Sequence, residues 1–198
     1  MRHTILVFCV ALVAIAFPGC HRVAMPGLTF EPPVGWIRED PTSDGRLIQY
    51  RLRGQDEAAG DARLVVYFFG QAGTGTVDAN IERWASQFRQ DDGRPSIEVA
   101  RVEHHETNGL AVHTVAVHGT YTAMTAGGEH LNRPGRSMHA AVVYTEAGPY
   151  YFKVVGPTET VHRWDDSYKA LLASFEPEPV PVKPDEAPSE GSGKEATQ

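Results

Sequence analysis

Seven short stretches rich in Val, Tyr and Phe stand out along the chain, at 28–31, 46–52, 63–69, 97–105, 110–121, 139–146 and 150–155. Each is bounded by Gly, Pro, Asp or Asn, the pattern of β-strands closed by turns. Thr107-Asn108-Gly109 separates two of them and Glu146-Ala147-Gly148-Pro149 another two. Such tight links join neighbours into antiparallel hairpins. A parallel crossover needs a dozen or more residues, commonly a helix, and only the Gly70 to Pro95 connection is that long and clearly helical.

The apolar period changes in two places. Val77, Ile81, Trp84, Ala85 and Phe88 fall at i, i+4, i+7, i+8 and i+11, with Thr76 placed as an N-cap and Asp78 in the first turn. A second helix is predicted over 158–174, with Val161, Trp164, Tyr168, Leu171, Leu172 and Phe175 as its buried stripe. Trp84 and Trp164 read as packing residues. The class is α+β, a central antiparallel sheet of about six or seven strands flanked by two main helices.

The chain has 198 residues, 41% hydrophobic and 22% charged, which suits one globular domain with short appendages. Its body runs over 27–176, a size at which folding buries roughly 68–70% of the surface exposed by the unfolded chain. With 18 basic against 25 acidic residues the net charge is -7. That balance lacks the basic footprint that holds a phosphate backbone, so no nucleic-acid partner is expected. From Pro177 to Gln198 the chain is rich in Pro, Glu, Ser and Gly without apolar period, and is predicted to be a disordered, solvated tail.

Residues 1–19 read as an export signal: Met1-Arg2-His3, an unbroken apolar run from Ile5 to Phe17, then Pro18-Gly19. The run is shorter than the roughly 20 residues that cross a bilayer as a helix. Phe17-Pro18-Gly19-Cys20 resembles the bacterial lipobox. The resemblance implies cleavage before Cys20, acylation of its sulfur, and a short tether over 20–26. His21, in place of the aspartate often found after the cysteine of inner-membrane lipoproteins, implies an outer-membrane address facing the periplasm in a host with two membranes. A second cleavage point follows Ala14-Ile15-Ala16 and would release a soluble chain. The cysteines are Cys9 and Cys20, so the body has no disulfide, thiolate metal site or cysteine nucleophile.

No motif in the body names a reaction or a cofactor. There is no Gly-x-Ser-x-Gly and no His-Glu-x-x-His. Gly70 to Thr76 lies between a strand and a helix but lacks the Walker lysine, and reads as a flexible connection. Asp165-Asp166 diverge by about 100° on a helix and read as a solvated face. No two histidines share the local spacing that lets both reach one metal ion. The route left open is assembly across strands, for example His104 or His105 with His113 over the Asn108-Gly109 turn. The segment 122–136 is long for a connection without regular structure. It offers His130, Asn132, Arg133 and Arg136 as contacts for an anionic ligand or a partner, or serves as a plain hairpin link.

Three stretches together resemble bacterial exported proteins related to the PsbP-like domains, a group that also includes the Ran-binding Mog-type proteins. They are Thr29-Phe30-Glu31-Pro32-Pro33-Val34-Gly35-Trp36, Tyr150-Tyr151-Phe152-Lys153-Val154-Val155-Gly156-Pro157 and Leu171-Leu172-Ala173-Ser174-Phe175. The resemblance spans the body and implies an α/β/α sandwich with an accessory, non-enzymatic role beside another envelope component. A secreted ligand binder or enzyme using the 122–136 segment is the alternative. Mass spectrometry of the mature amino terminus is expected to find an acylated Cys20; an unmodified start at Phe17 defeats the anchor.

Overall fold

The computed structural model describes residues 22–43, 45–125 and 127–180. The export signal, Cys20 and the far part of the tail lie outside the described residues. A small hairpin opens the fold, β1 (Val23–Met25) with β2 (Leu28–Phe30). The main antiparallel sheet contains β3 (Ile37–Glu39), β4 (Arg46–Leu52), β5 (Ala62–Phe68), β6 (Phe88–Arg89), β7 (Arg101–Thr107), β8 (Leu110–Tyr121), β9 (Arg133–Thr145) and β10 (Gly148–Pro157). Its order is β3-β4-β5-β10-β9-β8-β6, with β7 alongside the first half of β8. Helix α1 (Val77–Ala85) lies between β5 and β6, and α2 (Thr158–Arg163) and α3 (Asp165–Ala173) follow β10.

Alternation along the strands divides the apolar residues between two cores. Along β10, Tyr150, Phe152 and Val154 enter one core while Tyr151 enters the other. The first core lies beneath α2, α3 and the β1–β2 hairpin. There Phe152 meets Phe30 edge-on at 5.4 Å and Phe175 at 4.8 Å between ring centroids. The second lies beneath α1, where Trp84 meets Tyr151 edge-on at 6.1 Å. Burial of a large aromatic side chain stabilises by about 1.5–3 kcal/mol, so both faces contribute strongly. Lys153 also points to the α1 side, bonded to Gln87 and 5.7 Å from the centre of the Tyr121 ring. Burial, reinforced by Arg83, pushes its amine down to about 7.

The expected α+β architecture is present, with two corrections. The sheet has eight strands rather than six or seven. The additions, β3 and β6, are three and two residues long, too short to show a period. The predicted continuous helix over 158–174 breaks at Trp164 (φ -102°, ψ 11°). Its indole donates to the Arg53 carbonyl at 2.9 Å, so the ring reaches sideways instead of extending the buried stripe. Trp84 is core, whereas Trp164 is only partly buried. Strand β1 falls inside the 20–26 segment assigned to the tether, with Met25 buried in the first core. The predicted N-cap is present: Thr76 Oγ1 accepts from the Ala79 N–H at 3.2 Å.

Gly156 pairs with Ser137 on β9, and a Cβ there would overlap the Ala62 side chain. Gly156→Ala is expected to cost about 1–3 kcal/mol through overpacking. Urea denaturation would show a lowered midpoint, while Gly127→Ala, at an exposed position with only Thr125 nearby, leaves it nearly unchanged.

Candidate functional site

A groove of about 420 Å³ lies where α3 crosses β7, β8 and β9. Its floor follows from side-chain size. In register, Arg101 on β7 faces Ala116 on β8, which faces His139 on β9; one step along, Glu103 faces Thr114. Ala116 and Thr114 are small, so the sheet falls away beneath α3 where larger residues would have filled the gap. Strand β7 pairs only with β8, and its groove-facing positions Arg101, Glu103 and His105 make a rim of both charges. Lys169 stands on the opposite rim.

At the foot of the groove three polar side chains converge. His139 Nδ1 lies 3.5 Å from Asp165 Oδ1, and the His139 and Tyr168 ring centroids are 5.5 Å apart. The break at Trp164 makes Asp165 the first residue of α3, where the positive end of the helix dipole favours its charge. Asp165 Oδ1 and Tyr168 Oη are both buried without a hydrogen-bond partner among the described residues. A buried polar group in that state costs about 1–3 kcal/mol. Burial pushes the Tyr168 phenol well up, so it remains a hydrogen-bond donor. Burial also holds His139 below the ordinary imidazole value, more strongly than Asp165 raises it. His162, Arg101 and Lys169 add to the lowering. The assembly can therefore offer a phenol donor, a carboxylate acceptor and a neutral imidazole. No serine or cysteine lines the groove.

The segment 122–136 behaves differently from a long open loop. Strand β8 runs to Tyr121 and β9 starts at Arg133, with a bridge between Met124 and His130 closing the link. His130 Nδ1 lies 3.0 Å from the Thr122 carbonyl, and Asn132 accepts from Arg89 at 3.4 Å. Arg133 is exposed, and Arg136 is half-buried opposite Gly119 with its Nε unpartnered. None of the four lines the groove. Of the acidic pair, Asp165 turns into the groove while Asp166 is exposed beside Lys169 at 3.1 Å. His139 and Tyr168 were hidden in the sequence among other histidines and in an apolar stripe. The one local signal is His139's parity with Ala141 and Val143, which places a titratable group on a core-facing row.

No family model matches the chain, and no curated protein matches it in sequence. Two of the solved structures to which the chain is similar are the following. The solution structure of cyanobacterial PsbP (CyanoP) from Synechocystis sp. PCC 6803 has a TM-score of 0.50 at 15% identity, covering 85% of this chain and 98% of that one. A Pseudomonas aeruginosa protein of unknown function has a TM-score of 0.46 at 11% identity, covering 71% of this chain and 88% of that one. The fold is PsbP-like. Among the described residues, no helix is long and apolar enough to cross a membrane.

A neutral, largely enclosed His139 makes stability depend on pH. An unfolded imidazole protonates near 6.5, while the folded one resists protonation to lower pH, so the unfolded chain binds more protons across that interval. Stability therefore falls as pH drops below about 6.5. Urea unfolding at pH 7.0 and 5.5 is expected to show a smaller loss for His139→Gln than for the parent chain. An identical loss would mean that His139 does not titrate with folding.

Proposed function

We propose that the chain is a non-enzymatic accessory protein of the bacterial cell envelope, held to the membrane by acylated Cys20, whose groove receives a polypeptide segment of another envelope protein. The observation that carries this reading is the open groove with the partly exposed Asp165 carboxylate beside His139 at its foot. A bound amide or amine donates to that carboxylate. The rim, with Arg101 and Lys169 against Glu103, suits a segment carrying both charges. The PsbP-like fold is compatible with this role but supplies no partner.

A photo-crosslinking residue in place of Thr114, on the groove floor, is expected to capture one envelope protein in membranes. Asp165→Asn should weaken that capture by about 3- to 10-fold, the effect of one weakened hydrogen bond. Cys20→Ser should move the chain into the soluble fraction. Capture that is indifferent to Asp165→Asn would overturn the groove as the docking site. The groove's size also falls within the range of small-molecule sites, which favours a small polar ligand as the second reading. Thermal stabilisation by a metabolite, lost in Asp165→Asn, would select it.

A further inference from the structure

The β7–β8 hairpin carries another cluster, on the face away from the groove. Asn108 and Gly109 have φ of 50° and 84°, the positive values of a tight two-residue turn that leaves the strands no slack. The register set by that turn places His104 directly opposite His113. Their Nδ1 atoms lie 2.5 Å apart, with ring centroids at 4.8 Å. With the rings in opposite tautomers, one Nδ1–H donates to the lone pair of the other Nδ1, and a metal ion can take the place of that bridging proton.

We infer that His104 and His113 form a surface site for a divalent transition-metal ion of the Zn²⁺ or Cu²⁺ class, with both Nδ1 atoms as ligands and water completing the coordination. Metal–nitrogen bonds of about 2.0–2.1 Å place two such nitrogens about 2.9 Å apart at square-planar angles and about 3.4 Å apart at tetrahedral ones. The present pair is tighter by about half an ångström to an ångström, and His104, which is exposed, has room to rotate outward by that amount. Imidazole donors select these ions over Mg²⁺ or Ca²⁺, which prefer oxygen. Among the described residues no group of three or more His, Cys, Asp or Glu is placed to hold a metal, so the protein supplies two ligands. The backbone under them is a paired strand rather than a loop, which preorganises the site. The Tyr144 ring stands perpendicular to His113 at 5.9 Å and shields one side. His105, the next residue, lines the groove on the opposite face and serves as an internal control.

Zn²⁺ titration of the full chain, followed by NMR of the histidine rings, tests the site without interference from metal bound elsewhere. Saturable one-to-one shifts are expected in the His104 and His113 rings together. His104→Ala should weaken the His113 response at least tenfold, and His105→Ala should leave it unchanged. Because His104 is exposed, its replacement leaves the fold intact, which unchanged amide spectra would verify. Absence of ring shifts at millimolar Zn²⁺, or an undiminished His113 response in His104→Ala, would overturn the two-ligand site.

Discussion

Phe152 lies at the centre of β10, with β5 on one side and β9 on the other, so its backbone is paired on both edges. Its ring contacts Phe30 from the opening hairpin and Phe175 from the end of the last helix. This three-ring contact joins the start, middle and end of the folded chain, and the remaining architecture depends on it. Beside it, Thr29 and Glu176 exchange backbone hydrogen bonds of 2.8 and 3.0 Å. An aromatic cluster of this kind stabilises through buried area and edge-to-face geometry together. The ion pairs of Arg22 with Glu31 and Glu176 reinforce the same closure at the surface, where such pairs contribute little.

Closure by Phe175 dictates where the last helices lie. Once Phe175 is seated, α3 must cross the sheet over β8 and β9, and the small side chains Thr114 and Ala116 decide that it does not press against them. A groove is the result. The break at Trp164 then aims Asp165 downward at His139, while Tyr168, one turn on, approaches the same point. Three polar groups thus meet in surroundings that hold the imidazole neutral and the phenol protonated. Such pressure on polar groups is sustained only because the aromatic core beside them is well packed.

The β7–β8 hairpin carries polar clusters on both of its faces. Arg101, Glu103 and His105 form the groove rim, while His104 and His113 meet on the reverse side. An edge hairpin can carry so many polar groups because it has only one strand neighbour on its outer half and little apolar surface to bury. Strand alternation keeps the two sets apart, since neighbouring residues point to opposite faces.

Much of the framework was legible along the chain. Apolar alternation marked the long strands, the Asn108-Gly109 turn marked an antiparallel pair, and Thr76 marked the start of α1, because these depend on neighbours a few residues away. The very short strands and the helix break were not, since β3 and β6 exist only by pairing with distant partners and Trp164 turns aside for the Arg53 carbonyl. The groove was hidden for the same reason: His139 belongs to β9 and Asp165 and Tyr168 to α3, and only the packing of α3 over β9 unites them. The segment 122–136, whose length suggested either a contact loop or a plain hairpin link, is shortened by pairing between positions that its sequence did not mark, since Met124 bridges His130 and β9 already starts at Arg133. Local periodicity therefore decided the elements and their faces, while long-range packing decided which polar side chains face one another.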